Sequence, residues 1–544
     1  MISTDLSGLN AERADVTVIG SGPAGITLAL ECARLGKSVL LLESGGNAAS
    51  EEAQSLSLAT ICDRNTHDDM AIAVARRFGG TSNLWGARCQ RLDPIDFAQR
   101  PGVVEAKWPI TRDDILPFYD IACEYASCGK PVFASAIENL KLEDSVVDPC
   151  RLERFSNRPA FQTAHKESLS SSRALDVRLN ATVVDFELDE SGRIEKLVVA
   201  TPDRKRTIIP VKTAIIACGG LESTRLLLAI QRKHPDMFGG LDGPLGRYYM
   251  GHVIGEIADI VFSTEEIDRA YDFFIDGNGS YARRRMILSD KVILDDRLLN
   301  CAFWPVVPPV SDSRHGSSIL SLVYLAFAVG PIGRALVAEA IRIRHVPPGV
   351  ATLPHIRNIL LDIPHALAYL PGFFNRRYFA EMRLPGFFIR NPGRRYGLSY
   401  HQEQFPDPAS RVQLNGEADM FGLPRLTIDL KFNRTNADAL VRSHERLEEW
   451  LVQSRLGALR YRFPKEELAD AVLAQASHGT HQIGTARMGL DRRTAVVDGD
   501  LRTFDSSNLY VVSSAVMPTS GQANPTLSVV ALAARLAQHL ASVG

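Results

Sequence analysis

The 544-residue sequence lacks the features that mark several classes of protein. Its net charge is only −2 and its isoelectric point is near neutrality, so no overall electrostatic field attracts nucleic acid. It contains no zinc finger, no RNA-binding motif and no basic helix with heptad repeats. We therefore expect no nucleic-acid partner. The composition, 45% hydrophobic and 23% charged, is that of a large globular chain with room for two or three domains.

Paired cysteines are also lacking. None of the eight cysteines forms a CxxC pair, and several lie in apolar runs. This pattern favours buried free thiols in a reducing compartment over a disulfide framework, and the sequence predicts no metal site. Residues 1–14 are polar and acidic, without the basic and apolar segments of a secretory signal. These absences predict a cytoplasmic protein.

A glycine-rich turn near the start of the chain predicts a nucleotide-binding site. Residues 15–19 are expected to form a buried parallel strand, and residues 38–42 the next one. Between them, a helix is expected to begin at Pro23, which needs no N–H there, and to end before Gly36. The turn itself has the sequence Gly20-Ser21-Gly22-Pro23-Ala24-Gly25. This order of strand, turn, helix and strand is that of a dinucleotide-binding unit.

Each part of this turn has a physical role in the expected site. Gly20 permits the tight turn, Gly22 lets a pyrophosphate approach the backbone, and Gly25 lets the helix pack closely on the strand. The N-terminus of the helix then faces the phosphates. Glu43, at the tip of the second strand, is expected to accept both ribose hydroxyls and to repel the 2′-phosphate of NADP. The turn alone does not distinguish FAD from NAD.

Two motifs near the other end of the chain make that distinction. His481 opens the run HQIGTARMG, and Asn524-Pro525-Thr526 precedes an apolar helix. With the glycine turn, these motifs resemble those of the glucose–methanol–choline (GMC) oxidoreductases, an FAD-dependent family. The resemblance implies an α/β (α+β) fold. Its FAD-binding domain would be Rossmann-like and of the GMC type, and its substrate domain would contain an antiparallel sheet.

A loop of small residues, GGTSNLWG at 79–86, is similar to the family segment that lies along the flavin. The resemblance implies that Gly80, Thr81, Asn83, Leu84 and Trp85 contact the cofactor, whereas the alternative is a surface turn. In some flavoproteins with a similar loop, a histidine forms a covalent bond to the flavin. Leu84 stands at that position here, so FAD is expected to bind non-covalently.

Two further segments are similar to FAD-contacting parts of the family. Residues 181–187 and 194–200 predict a β-hairpin, in which the backbone of Val183 is a candidate contact for adenine. Residues 213–218 predict a buried strand that ends at Cys218, before the run GGLESTR. The alternative is that both segments are ordinary sheet elements without a cofactor contact.

The resemblance also implies the catalytic residues. Alcohol oxidation removes a hydroxyl proton and a carbinol hydride, and imidazole suits the proton because its pKa is near neutrality. We assign His481 as this base, with His478 as its rival. Asn524 is expected to hydrogen-bond the substrate oxygen. The helix that begins at Pro525-Thr526 is expected to stabilise negative charge on the reduced flavin.

Structural interpretations exist for the same residues. The alternative for His481 is a hydrogen-bonded core histidine. Asn524 followed by Pro525 is also a favourable N-cap and first-turn pair, a role that is compatible with a catalytic one. His252, at the end of another run that matches the family, is expected to be a structural hydrogen-bonding residue rather than a catalyst.

The matching segments divide the chain into interleaved domains. The FAD-binding domain is expected to comprise residues 12–99, 171–252 and 471–544, the last of which carries the catalytic pair. The substrate domain is expected to comprise residues 100–170, with a flavin lid, and residues 253–470.

Within the substrate domain, residues 317–385 form an unusual apolar insertion that bears arginine. Residues 331–395 contain ten arginines, three acidic residues and no lysine. The first apolar run, 317–332, is too short to span a bilayer. Such a segment can lie on a membrane surface, here the inner face, or bind an anionic substrate. The alternative is a lid on the active site or a subunit interface, since arginines commonly solvate the outer faces of helices.

Together these features predict an FAD-dependent oxidoreductase that acts on CH–OH groups and transfers hydride to flavin N5. By resemblance, we expect a sugar, polyol or glycoside as substrate; the apolar insertion suggests a lipid-like or sterol-like alcohol instead. A lyase of the cyanohydrin type and a non-catalytic flavoprotein are alternatives of other classes, although the histidine–asparagine pair favours redox chemistry. The sequence leaves open whether the electron acceptor is oxygen, and what the oligomeric state is.

Overall fold

The computed structural model describes residues 2–9, 11–101, 103, 107–138, 146–329, 346 and 349–543. The architecture mixes a parallel sheet, an antiparallel sheet and helices packed on both, as the sequence predicts. The longer helices are α1 (Pro23–Arg34), α6 (Phe118–Tyr125), α9 (Gly220–Lys233), α12 (Ser318–Ala328), α13 (Leu353–Phe374), α14 (Arg434–Gln453), α15 (Leu468–Gln475) and α16 (Thr526–Ser542). The shorter helices are α2 (Glu51–Ser55), α3 (Met70–Ala73), α4 (Pro94–Phe97), α5 (Arg112–Ile115), α7 (Phe161–Ala164), α8 (Lys166–Ser171), α10 (Glu265–Ala270) and α11 (Asp290–Asp295).

The parallel sheet has six strands in the order β1-β7-β3-β2-β11-β20. Their bounds are β1 (Ile2–Ser3), β7 (Leu175–Arg178), β3 (Val39–Leu42), β2 (Val16–Ile19), β11 (Ala214–Ile216) and β20 (Leu509–Val511). The strands β2, β3, β11 and β20 are apolar runs buried on both faces, as expected where helices cover a parallel sheet. Helix α1 packs on β2 and β3, and α16 packs against α1. The predicted strand–helix–strand unit is confirmed to within one residue at each boundary.

The second large sheet is antiparallel and has eight strands. Seven run in the order β19-β12-β16-β15-β14-β6-β5, and β13 pairs with β14. Their bounds are β19 (Gly457–Tyr461), β12 (His252–Phe262), β16 (Arg395–Glu403), β15 (Cys301–Val306), β14 (Tyr281–Leu288), β6 (Val147–Phe155), β5 (Arg88–Cys89) and β13 (Phe274–Ile275). This is the expected antiparallel sheet. Strand β5 belongs to it although it lies within the first segment of the expected FAD-binding domain.

Two three-stranded sheets complete the fold. The predicted hairpin is confirmed as β8 (Thr182–Leu188) and β9 (Ile194–Ala200), and β10 (Arg206–Pro210) adds a third strand. In the other sheet, β17 (Arg411–Ala418) and β18 (Pro424–Asp429) form an antiparallel pair, and β4 (Ala59–Ile61) joins β18 in parallel. This last pairing ties the N-terminal third of the chain to its C-terminal third.

The apolar insertion is described in part. Helices α12 and α13 pack against each other, and a π-helical turn follows at Asn375–Phe379. The end of the first apolar run, the Gly330-Pro331 interruption and three of the ten arginines, Arg334, Arg342 and Arg344, lie outside the described residues. Across the described ranges, no helix is both long enough and apolar enough to cross a bilayer.

All eight cysteines lie among the described residues and all are free thiols. Five are buried, and burial raises the pKa of one of them, Cys32, to about 12. That thiol therefore stays protonated near neutral pH.

Candidate active site

One cavity gathers residues from both ends of the chain. It is lined by fourteen of the residues that the sequence singled out: Gly20, Gly22, Pro23, Ala24, Glu43, Gly80, Thr81, Leu84, Trp85, Cys218, His481, Asn524, Pro525 and Thr526. The parallel sheet explains this meeting, because β2, β11 and β20 are neighbours whose carboxyl ends share one edge. The glycine turn follows β2, Cys218 follows β11, and the segment before α16 follows β20.

The glycines of the turn differ in what surrounds them. A Cβ on Gly25 would lie 1.9 Å from the carbonyl oxygen of Gly20, so only glycine allows α1 to approach the turn. Gly20 has φ of +99°, and its Cβ would lie 2.7 Å from the carbonyl oxygen of Ala217. By contrast, a Cβ on Gly22 would meet no protein atom within 4 Å, because that face opens into the cavity. Gly22 thus leaves room for a ligand phosphate, whereas Gly25 serves packing and does not line the cavity.

Three helix N-termini point their positive ends toward the same cavity. Helix α1 begins after Gly22, α9 after Gly219 and α16 after Pro525, and all three preceding residues line the cavity. None of these three residues caps its helix with a side chain. Backbone N–H groups at such termini bind phosphate and other anions. The cavity therefore suits a ligand with a pyrophosphate, as FAD has.

Glu43 has a role in the fold as well as in the cavity. One carboxylate oxygen accepts hydrogen bonds from the backbone N–H of Ser21, at 3.0 Å, and from its hydroxyl, at 2.6 Å. The other accepts from the backbone N–H of Gly45 at 2.8 Å. Glu43 thus braces the glycine turn. A carboxylate has about four lone-pair positions, and the fourth receives only a long contact of 3.5 Å from the hydroxyl of Ser44, so a ribose hydroxyl can compete for that position.

The loop after Gly79 forms a short 3₁₀ helix at Gly80–Asn83. The side-chain amide of Asn83 donates to the carbonyl oxygens of Phe78, at 3.1 Å, and Gly80, at 2.8 Å. Its oxygen accepts from Gln162 at 2.7 Å. Asn83 therefore holds the loop together and does not line the cavity. The contact of Asn83 with the cofactor stays a prediction, and its side chain is already engaged within the loop.

Val183 is also placed away from the cavity lining. It lies in β8, is 5% exposed and packs in the main hydrophobic core. A register shift follows it in the β8–β9 ladder, between Val183 and Asp185. The expected contact of its backbone with adenine stays a prediction.

His481 and Asn524 face each other in the cavity. The amide nitrogen of Asn524 lies 3.1 Å from Nε2 of His481, and Nδ1 of His481 lies 2.9 Å from Nδ1 of His252. Since the amide donates, Nε2 is the acceptor nitrogen, and Nδ1 carries the proton that it donates to His252. Asn524 does not cap α16, whose N-cap residue is Pro525. Its amide oxygen is buried and has no protein partner.

The imidazole of His481 belongs to a cluster of four histidines. The ring of His252 stacks on that of His401, with 4.0 Å between the ring centroids. The ring centroids of His478 and His481 are 4.5 Å apart. Burial, together with the neighbouring imidazoles, lowers the pKa of His252, His401 and His481 well below 6.5. Burial and His67 lower the pKa of His478 to about 3. The cluster is therefore neutral near pH 7.

Three of these histidines bring ring nitrogens within 4.8 Å of one another, a distance compatible with a metal ion. Their hydrogen bonds favour another interpretation. Nδ1 of His401 donates to the carbonyl of Gln522 at 2.6 Å, and His481 donates to His252. The stacked rings of His252 and His401, inclined by 19°, direct their in-plane lone pairs side by side rather than at one point. We interpret the cluster as a hydrogen-bonded unit.

Cationic side chains of the antiparallel sheet lie beside the cavity. Arg88 lines it, and its guanidinium lies 4.9 Å from the ring of Trp304, over which Arg283 and Arg285 also lie. Glu153 is their anion: it is buried, yet the three arginines lower its pKa to about 2. Three arginines and one carboxylate leave a net positive charge beside the cavity.

Comparisons with known proteins agree with this site. A family model described as GMC oxidoreductase matches residues 406–533, and one described as FAD dependent oxidoreductase matches residues 15–286. Paromamine 6'-oxidase of Streptomyces fradiae is 32% identical over 97% of this chain and 91% of its own length. The chain belongs to the GMC oxidoreductase family.

Two other proteins resemble this GMC oxidoreductase along nearly its whole length. The 6'''-hydroxyparomomycin C oxidase of Streptomyces lividus is 26% identical over 97% of this chain and 91% of its own. A fungal aryl-alcohol oxidase shares the fold, with a TM-score of 0.54 and 16% identity over 98% of this chain and all of its own. The protein is therefore an FAD-dependent oxidoreductase that acts on CH–OH groups.

Sequence reasoning missed some residues of the site in this GMC oxidoreductase. His401 was not singled out, whereas His252 was expected to be a structural hydrogen-bonding residue, in agreement with its hydrogen bond to His481. His252 and His401 meet because β12 pairs with β16 in a register that places Ile254 opposite His401. Met70, residues 72–76 and the pair Ser513-Ser514 also line the cavity. The position of Ser513-Ser514 directly after β20 was a usable signal, whereas residues 70–76 carry no motif.

Proposed function

We propose that this enzyme oxidises an alcohol of a sugar, polyol or glycoside to the carbonyl, with His481 as the general base. The observation that carries the proposal is the orientation of His481: Nε2 is the acceptor nitrogen in the cavity, while Nδ1 donates to His252. A base that takes a hydroxyl proton needs this tautomer. The two oxidases of the comparison support a hydroxyl on a glycoside as the substrate group.

The remaining steps use residues of the same cavity. When bound, FAD supplies the two-electron acceptor for the carbinol carbon. The amide of Asn524 donates to the substrate oxygen in the place where it now meets Nε2 of His481. Arg88, with Arg283 and Arg285 behind it, stabilises negative charge as the hydroxyl loses its proton, because charge in a buried site is screened weakly.

His481 suits the base better than His478 on geometric grounds. Both rings are in the cluster, but His481 lines the cavity and His478 does not. Nε2 of His478 is 3.2 Å from the hydroxyl of Thr480. Its ring packs against His252 and His481, and this position supports a structural role.

The cofactor is proposed to be held without a covalent bond. Leu84 stands in the flavin loop where a linking histidine is expected in similar flavoproteins, and it is 55% exposed at the rim of the cavity. Denaturation should therefore release FAD from the protein. Flavin fluorescence that migrates with the polypeptide in a denaturing gel would contradict this expectation.

The glycine turn offers a matched pair of variants for the FAD site. Gly22→Ala places its methyl group in the open cavity, so the protein should fold normally but lose FAD affinity. Gly25→Ala places a methyl group 1.9 Å from the carbonyl oxygen of Gly20, so the fold itself should be destabilised. Flavin content and thermal denaturation of the two variants separate these effects. Equal FAD affinity in Gly22→Ala and wild type would reject the phosphate position.

Substrate and acceptor are tested together. The purified holoenzyme is mixed with sugars, polyols, glycosides and long-chain or sterol alcohols, with an artificial dye or with oxygen as acceptor. Dye reduction by sugars, polyols or glycosides supports the proposal, and preference for long-chain or sterol alcohols would replace the substrate class. Activity with oxygen alone identifies an oxidase, whereas activity only with the dye identifies a dehydrogenase.

A further inference from the structure

Helices α12 and α13 carry an unusual concentration of exposed apolar side chains. Of the 24 large hydrophobic side chains that are exposed among the described residues, ten lie between positions 353 and 387. Leu353, Leu360, Leu361 and Leu367 of α13 are each about 70% exposed, at 77%, 68%, 71% and 69%. Single exposed leucines are ordinary, but a contiguous group of this size indicates an interaction surface.

The polarity of α13 is the inverse of that of a helix on a water-facing surface. Its polar side chains point inward: His355 is buried against the hydroxyl of Ser321, at 3.1 Å, and Asn358 donates to the carbonyl of Ser313, at 2.7 Å. Asp362 accepts from the backbone N–H of Ser318 at 2.9 Å. A helix in water turns its apolar side to the core and its polar side to solvent. This helix is arranged for apolar surroundings.

The charges around the apolar face are mainly positive. In the described part of the insertion, the exposed charged residues are Arg357, Arg376 and Arg383, against Glu381. Phe374 ends α13, and Tyr378 and Phe379 lie with Arg376 in the π-helical turn that follows; these three aromatic side chains are 50%, 55% and 80% exposed. Aromatic and arginine side chains beside an apolar face are the composition of a helix that lies in the headgroup region of a membrane. No described helix is long and apolar enough to cross the bilayer.

A second copy of the chain fits this face less well. In a two-fold dimer the same patch meets itself, so the three arginines of one copy would face those of the other. An anionic lipid surface has the complementary charge.

We propose that the outward face of α12 and α13 docks on the surface of an anionic lipid bilayer. The leucines of α13 and the exposed Leu322 of α12 enter the acyl boundary, and Arg357, Arg376 and Arg383 contact lipid phosphates. The described residues of the insertion do not line the active-site cavity, so docking concerns a surface separate from catalysis.

Flotation of the full-length holoenzyme with vesicles tests the proposal. Wild type should float with phosphatidylcholine vesicles that contain phosphatidylglycerol, and added salt should release it. Leu360→Glu with Leu367→Glu should lower binding at least about tenfold, because two apolar side chains no longer enter the lipid. Arg357→Gln and Arg376→Gln should each lower binding about fivefold on anionic vesicles.

The matched control is Leu241→Glu with Leu490→Glu, two leucines that are 74% and 65% exposed elsewhere on the protein. This control has the same charge change and should float as wild type does. Flavin content and thermal denaturation confirm that each variant is folded. The proposal is overturned if wild type does not float, if the control loses binding equally, or if anionic lipid and salt make no difference. It is also overturned if the protein ignores vesicles and Leu360→Glu with Leu367→Glu turns a dimer into a monomer.

Discussion

The histidine cluster and the α12–α13 pair depart from the usual distribution of side chains in opposite directions. The cluster places three buried imidazoles and the half-buried ring of His481 together, where apolar side chains would pack with less cost. The helix pair exposes leucines, buries His355 and turns the half-buried Asn358 and Asp362 inward. In both places several of these polar groups are hydrogen-bonded to protein partners, which limits the cost, but the amide oxygen of Asn524 and Nδ1 of His478 have no partner among the described residues. The two proposals assign them different surroundings: a bound substrate for the cluster and a lipid surface for the helix pair.

The two regions also differ in how a mutation should act. In the proposed mechanism a single nitrogen of the cluster, Nε2 of His481, takes the proton, so changes there should act on turnover. In the helix pair, no single side chain performs chemistry, so changes should act on stability when they are inward and on association when they are outward.

The largest expected effect is on turnover. His481→Ala should lower kcat about 10²- to 10⁴-fold, the usual loss for a general base, and leave FAD bound. His478→Ala is the matched control in the same cluster and should retain most activity. Steady-state assays on flavin-saturated protein measure both. Loss in His478→Ala with retention in His481→Ala would reverse the assignment.

Variants at His252 test whether the cluster holds His481 in the tautomer that the proposed mechanism needs. His252 accepts a hydrogen bond from Nδ1 of His481, and this bond keeps the proton of His481 on Nδ1. Because leucine cannot accept it, His252→Leu should lower kcat about tenfold or more. His252→Asn offers an oxygen near the same position and should restore part of that loss. KM should change little, because His252 does not line the cavity. An equal loss in both variants would mean that His252 serves packing only.

The next effect distinguishes the two sides of α13. Asp362→Ala removes the acceptor of Ser318 and should lower the free energy of unfolding by about 1–3 kcal/mol. Leu361→Gln, one residue earlier but facing outward, should change it by less than about 0.5 kcal/mol. Chemical denaturation compares the two. A larger loss in Leu361→Gln would show that the leucine face is packed in solution.

Acid should affect the cluster through both activity and stability. The pKa of His481 is lowered, so it stays neutral above pH 6.5, and kcat/KM should be flat there and fall only at more acidic pH. Above about pH 6.5 these histidines are neutral whether folded or unfolded and contribute nothing to pH dependence. Below about pH 6.5, these histidines bind protons in the unfolded chain but stay neutral in the folded chain, because folding lowers their pKa. The free energy of unfolding should then fall by about 1.4 kcal/mol per pH unit for each such histidine.

A variant outside the cavity separates these two effects. His444 is buried, and burial lowers its pKa to about 4, but it does not line the cavity. His444→Leu should therefore reduce the acid dependence of unfolding and leave the pH profile of kcat/KM unchanged. A kcat/KM inflection above pH 6.5 in wild type would contradict a neutral, buried His481.

The sequence predicted the nucleotide half of the fold well because its signals are local. The turn at Gly20–Gly25, the hairpin of β8 and β9 and the helix after Asn524 each depend on residues within a short window. The catalytic environment depends instead on strands distant in sequence. The neighbours of His481, His252 and His401, are set by the pairing of β12 with β16, and Arg88 by the pairing of β5 with β6. The inverted polarity of α13 was not visible either, because the composition of a helix does not state which side faces water.

The most direct test of the account is a single turnover without oxygen. The oxidised holoenzyme is mixed anaerobically with an alcohol found in the acceptor screen, and flavin absorbance and product are followed together. Wild type should lose its flavin absorbance and release one carbonyl product per bound FAD, and His481→Ala should do so about 10²- to 10⁴-fold more slowly. Product that forms while the flavin stays oxidised, as in a lyase, or bleaching at the wild-type rate in His481→Ala would contradict the account.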